Sequence, residues 1–153
     1  MSIEEICKKY GIKNYTINDD GSIDVDGDVY INDEGLTELP LTFNKVTGVF
    51  NCDDNKLTTL KGSPKSVGGG FDCDGNKLTD LKGSPKSIGG KFYCRNNPIE
   101  SIFNYVDIDF IKAFKSFKVL NNGVIDLKRL KYLMSTFNKP IDLESIKKYY
   151  TIK

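Results

Sequence analysis

The chain contains no histidine at all, and this absence removes the commonest general base and the commonest neutral metal ligand. Serine–histidine and cysteine–histidine nucleophilic systems go with it. An excess of one charge is missing too: Lys and Arg number 22 against 21 for Asp and Glu, so an electrostatic case for nucleic acid has to rest on local patches. No apolar run approaches the roughly 20 residues of a membrane-spanning helix. The opening Met-Ser-Ile-Glu-Glu has neither the basic nor the apolar region of a secretory signal. A soluble, cytoplasmic protein without a membrane partner is the expectation. Hydrophobic residues at 39% and charged residues at 28% suit a folded chain rather than a disordered tail, and 153 residues fit one compact domain.

What is present is a repeat. Aligning Cys52, Cys73 and Cys94 exposes a period of 21 residues, obeyed also by Phe50/Phe71/Phe92, Asn55/Asn76/Asn97, Leu57/Leu78/Ile99 and Leu60/Leu81/Ile102. Two middle copies are nearly identical. Before them lies a degenerate copy, in which Gly27, Val29, Ile31, Leu36, Leu39 and Val46 stand 21 residues ahead of Gly48, Phe50, Cys52, Leu57, Leu60 and Val67. A truncated copy follows and ends near Ile102, which makes about four units.

Each unit reads F-x-C-x-x-N-x-L-x-x-L, the spacing of a leucine-rich repeat. Phe and Cys alternate with polar residues, as in a short strand with one buried face. The Asn residues turn the chain and bond backbone groups of the neighbouring coil. Lys-Gly-Ser-Pro-Lys then supplies turn chemistry, Val67 or Ile88 re-enters the core, and a Gly pair lets adjacent coils approach. The units resemble short bacterial-type leucine-rich repeats, with Phe and Cys replacing the usual strand leucines. Strings such as NKLT-LKGSPK are similar to leucine-rich-repeat-like proteins often encoded by tailed bacteriophages and prophages, over roughly Tyr15 to Ser101. That resemblance implies a solenoid and a phage setting with a role directed at a host or defence component. It carries over no catalytic residue.

The predicted class is α+β: a helix and hairpin cap over 1–26, a leucine-rich-repeat-like solenoid of parallel strands over 27–103, and a helical subdomain over 104–153. Ser2-Ile3-Glu4-Glu5 has capping-box form, Gly11 can stop the first helix, and Asp20-Gly21 sits at the tip of a hairpin. Towards the C-terminus the spacing turns helical, with one stripe of Val106, Phe110, Ala113, Phe114 and Phe117, a second of Leu127, Leu130, Met134 and Phe137, and a third of Leu143, Ile146 and Tyr150. Asp126 and Asp142 suit N-caps. The region either covers the last coil or also binds a partner or a second copy.

Three constellations invite chemistry. The cysteine column reads as an inward ladder of small apolar side chains; zinc or redox chemistry is the alternative, although three ligands in a row do not make a tetrahedron. Asn18 to Asp28 invites an EF-hand reading, but Thr16 and Gly27 fall where Asp and Glu are required, leaving an acidic hairpin with weak calcium binding as the alternative. The Gly-rich stretches lack phosphate-loop spacing and precede strands. No cofactor, no metal ligand set and no catalytic residue is expected, and the chain reads as a non-enzyme.

The remaining signal is surface patterning. Outward strand positions Asp28, Tyr30, Asn32 and Asp33, then Asn51, Asp53 and Asp54, then Asp72 and Asp74, then Lys91, Tyr93 and Arg95 line the expected concave face, acidic with a basic and aromatic last rung. Lys56 and Lys77, Lys61 and Lys82, and Lys65 and Lys86 align as columns on the turn side, either a solvated face or a surface for an anionic partner. Protein–protein recognition through the concave strip is the leading expectation. Nucleic-acid binding or mimicry is the second, with Lys112, Lys115 and Lys118 as possible helpers, and self-assembly through the helical region the third.

Overall fold

A computed structural model describes residues 1–79, 81–98, 118–121, 124–136, 138, 140–147 and 150–153. The chain opens with helix α1 (Ile3–Lys9). Its Ser2 hydroxyl accepts from the Glu5 N–H while the Glu5 carboxylate takes the Ser2 N–H, so two otherwise orphaned donors are satisfied. Gly11 follows at φ 65°. Strands β1 (Tyr15–Ile17) and β2 (Ile23–Val25) form the antiparallel hairpin, with Gly21 at φ 83° and the Asp20 carboxylate accepting the Ser22 N–H at its tip.

From β2 onwards the chain winds through about three turns of a parallel β-solenoid with two sheets. One sheet continues from the hairpin in the order β1-β2-β4-β6-β8, adding β4 (Phe43–Val46), β6 (Ser66–Val67) and β8 (Ser87–Ile88). The other has the order β3-β5-β7-β9, from β3 (Val29–Tyr30), β5 (Phe50–Asn51), β7 (Phe71–Asp72) and β9 (Phe92–Tyr93). Pairing follows the sequence repeat: Val29 faces Phe50, Phe50 faces Phe71, and Phe71 faces Phe92. Val46 faces Val67, which faces Ile88. The segment read from sequence only as a re-entry point is thus a strand in its own right.

Repetition stacks like on like inside the solenoid. Phe50 and Phe71 rings lie parallel with centroids 5.5 Å apart, Phe92 continues the row at 5.3 Å, and Phe43 meets Phe50 edge-on at 5.0 Å. Cys52, Cys73 and Cys94 are fully buried beside them, as are Leu57 and Leu60. The Asn column closes the polar account. Asn76 Nδ2 donates to the carbonyls of Cys52, Cys73 and Asp74 at 3.0 to 3.2 Å, and its Oδ1 accepts the Leu57 N–H at 3.0 Å. Asn55 and Asn97 repeat this one coil earlier and one later. Each Asn therefore ties its own turn to the preceding coil.

Glycines are dictated by how closely the coils approach. A Cβ on Gly68 would sit 2.1 Å from the Thr47 carbonyl oxygen, and one on Gly89 2.1 Å from that of Gly68. Asp33, Asp54, Gly75 and Asn96, at one equivalent position in successive coils, all have φ in the left-handed region (54°, 50°, 65° and 54°). Asn, Asp and Gly are the residues that tolerate it.

The last described segment departs from the helical expectation. Helices α2 (Leu127–Thr136) and α3 (Leu143–Lys147) are present, but a three-stranded sheet of β10 (Leu120–Asn121), β11 (Val124–Ile125) and β12 (Thr151–Ile152) accompanies them. The Asn-Gly dipeptide that follows β10 in the sequence is a hairpin signal. Asp126 caps α2 through the Arg129 N–H at 3.0 Å, and Leu130, Leu133, Met134 and Ile146 are buried. The Tyr150 hydroxyl donates to the Thr79 carbonyl of the solenoid. The stripe from Val106 to Phe117, together with Ile99, Ile102, Phe137 and the lysines at 112 and 115, lies outside the described residues.

Candidate functional site

The outer face of the β3-β5-β7-β9 sheet is where the strand alternation places polar and aromatic side chains. Val29, Phe50, Phe71 and Phe92 point inward and are buried. Their neighbours Tyr30, Asn51, Asp72 and Tyr93 stand in register on the opposite side. Tyr30 is 56% exposed; Asn51, Asp72 and Tyr93 are half-covered by their neighbours. Asp28, Asn32, Lys91 and Arg95 are exposed along the same strip.

Within the strip the structure separates carboxylates engaged by the backbone from those that are not. Asn51 Oδ1 accepts the Asp53 N–H at 2.9 Å, and Asp72 Oδ1 repeats the bond to the Asp74 N–H at 2.9 Å. Asp28 Oδ1 accepts the Val49 N–H at 2.7 Å. Asp74 is the most committed: Oδ1 accepts the Arg95 N–H at 2.6 Å, while Oδ2 receives both Nε and Nη2 of the Arg95 guanidinium at 3.1 and 2.8 Å. That guanidinium also lies 5.1 Å over the Tyr93 ring. Asp33 and Asp54, read from sequence as part of the acidic strip, supply the left-handed turn instead.

Asp53 is different. Its Oδ1 is buried without a hydrogen-bond partner among the described residues, and burial, followed by the charges of Asp54 and Asp74, pushes its carboxyl up against the opposing hydrogen bonds of the Asn51 side chain and its own backbone. Asp72 is pushed up to about 6, chiefly by burial and further by Asp74 and Asp53, against the opposing Asp74 N–H and Arg95. A carboxylate held in this state gains from a cation or donor brought by another molecule.

The other constellations have local explanations. The Sγ of Cys52 donates to the Asp72 carbonyl at 3.4 Å and that of Cys73 to the Tyr93 carbonyl at 3.3 Å; burial holds both thiols protonated. Asp20 and Asp24 are lowered by hydrogen bonds, Asp20 from Ser22 and Asp24 from Asn44 and then Asn18, and they order the hairpin. Lys56, Lys61, Lys65, Lys77, Lys82 and Lys86 are all exposed, on turns rather than on either sheet. The signal that sequence reading missed is the unequal engagement of the carboxylates, because the bonds that commit Asp28 and Asp74 run to the next coil, 21 residues away.

No helix among the described residues is long and apolar enough to cross a membrane. In comparisons with known proteins, no family model, no curated protein and no solved structure matches the chain.

Proposed function

We propose that the protein is a non-catalytic recognition module that binds another protein through the outer face of the β3-β5-β7-β9 sheet. The observation that carries this reading is a rigid row of outward side chains, Tyr30, Asn51, Asp72 and Tyr93, on strands whose inner positions are locked by the Phe, Cys and Asn columns. Solenoids present such surfaces without needing a catalytic group. The aromatic Tyr30 and Tyr93 are the contacts with most to gain from a partner, with the half-buried carboxyl of Asp53 on the same strip. The leucine-rich-repeat-like identity of the coils, the capping role of both terminal segments, a cytoplasmic location and a phage protein acting on a host or defence component belong to the same proposal. Those parts rest on the repeat pattern and on the resemblance of its strings.

Affinity capture from bacterial lysate, with and without nuclease treatment, tests the reading. A host protein retained after nuclease and lost from the Tyr30→Ala/Asp53→Asn/Tyr93→Ala variant supports it. Recovery of nucleic acid alone, abolished by exchanging Lys61, Lys65, Lys82 and Lys86 for Glu, would transfer the function to the lysine columns and make it steeply salt-dependent.

A further inference from the structure

The two sheets end differently on their N-terminal side. In the β2 sheet, β1 pairs antiparallel with β2 and covers its edge. In the other sheet β3 is the first strand, with no strand paired beyond it among the described residues. Towards β5, Val29 N donates to the Val49 carbonyl at 2.8 Å and Ile31 N to the Asn51 carbonyl at 2.9 Å. The alternate groups, Tyr30 N–H and C=O and Asn32 N–H, face the other way and have no hydrogen-bond partner among the described residues. Such a row is a template for another strand.

Charge states what kind of strand it fits. Between Lys13 and Lys45 the chain carries eight carboxylates and no Lys or Arg, although the whole molecule is balanced at +1. Asp26, Asp28, Asp33 and Glu34, on either side of the open row, are all exposed. A second copy would bring the same acidic edge against this one, and like charges in facing strands are unfavourable.

We infer that β3 accepts an extended basic segment of a partner protein as an added strand, its backbone bonding Tyr30 and Asn32 and its Lys or Arg side chains lying against Asp28, Asp33 and neighbouring carboxylates. The inference rests on the recognition reading above and moves part of the contact from the sheet's face to its edge. The added strand repeats what β3 does for β5: its N–H groups donate to the Tyr30 carbonyl and its neighbours, and its carbonyls accept from the Tyr30 and Asn32 N–H groups.

The probe is a synthetic decapeptide of alternating Lys and Val, with the alternating Glu and Val peptide as control, titrated against the full chain by calorimetry. The Lys-Val peptide binds, weakening as salt is raised, and the Glu-Val peptide does not. Tyr30→Pro, which deletes one edge donor, weakens binding by about tenfold or more. Because Tyr30→Pro could disturb folding, a Lys-Val peptide N-methylated at every residue, which leaves neither edge of its strand with donors, gives the same test on the unaltered protein and fails to bind. No binding of the Lys-Val peptide, or equal binding of its methylated form, overturns the inference. Binding that survives Tyr30→Pro but is lost in Asp53→Asn/Asp72→Asn also overturns it and leaves the face as the site. A concentration-dependent dimer abolished by Tyr30→Pro would assign the edge to a second copy instead.

Discussion

The first coil and the two middle coils share a backbone path but divide the work differently. In the middle coils Phe50 stacks on Phe71, and Asn55 and Asn76 stitch each turn to the one before. The first coil has Val29 where they have Phe, Ile31 where they have Cys, and Glu34 where they have Asn. Its turn N–H groups are met by the next coil, as theirs are, with Asn55 Oδ1 accepting both the Glu34 and the Leu36 N–H at 3.0 Å, but it supplies no such Asn of its own. Freed from the ladder pattern, the first coil carries carboxylates and the exposed Tyr30. The difference teaches that the inward ladders are strongest where the repeat is strict, that outward polar residues are supplied by every coil, and that the lapse in the first coil leaves an acidic edge strand beside them.

Breaking the strict part should cost most. Phe71→Ala removes a ring sandwiched between Phe50 and Phe92 and is expected to destabilise by about 3–5 kcal/mol in urea unfolding. Asn76→Ala leaves the buried Leu57 N–H without its acceptor and removes one of the two side-chain amides that donate to the Cys52 carbonyl. The expected loss is on the order of 3 kcal/mol, against less than about 0.5 kcal/mol for the equivalent but exposed Glu34→Ala. Unfolding midpoints of the two variants side by side sharpen the contrast; equal losses would erase it.

A glycine pair gives the next, smaller contrast. Gly89→Ala forces a Cβ to 2.1 Å from the Gly68 carbonyl oxygen, so backbone has to move and a loss above about 2 kcal/mol is expected. Gly35 in the first coil, at φ 67° with nothing within 4 Å of its would-be Cβ, should lose only about 1 kcal/mol on the same exchange, from backbone strain alone. Thermal denaturation of both variants checks the ranking.

Much of this contrast was legible in the sequence. The period of 21 residues identified Phe50, Cys52, Asn55 and Leu57 as inward or turn positions because identical residues recur only where neighbouring coils make the same demand. The second strand of each coil was not legible, since Ser66–Val67 offers a single inward residue as its signal. The sheet formed by β10, β11 and β12 was missed for the same reason, two-residue strands lying beside a strong helical stripe. For the site, alternation predicted which side chains face outward. That Asp74 is already engaged by Arg95 depends on pairing across coils and left no local trace.

The smallest expected effect concerns pH. Burial raises Asp72 to about 6, so the folded state holds this proton more tightly than the unfolded chain. Stability from this group is therefore present at low pH and is lost as pH rises from about 4 through about 6. Asp20 and Asp24 are lowered, so they act oppositely, losing their contribution as pH falls below the ordinary carboxylate range. Asp72→Asn, which keeps an acceptor for the Asp74 N–H, should flatten the fall in melting temperature between pH 4 and pH 7 that is expected from the raised Asp72. An unchanged slope would place the titration elsewhere.

The central claim, that the outer face recognises while the stacked interior stabilises, is tested most directly by one paired measurement on the Tyr30→Ala/Asp53→Asn/Tyr93→Ala variant: its melting temperature and its capture of the lysate protein retained by the wild type. The account predicts an almost unchanged melting temperature with capture lost. Capture at the wild-type level, or capture lost only because the variant unfolds, would contradict it.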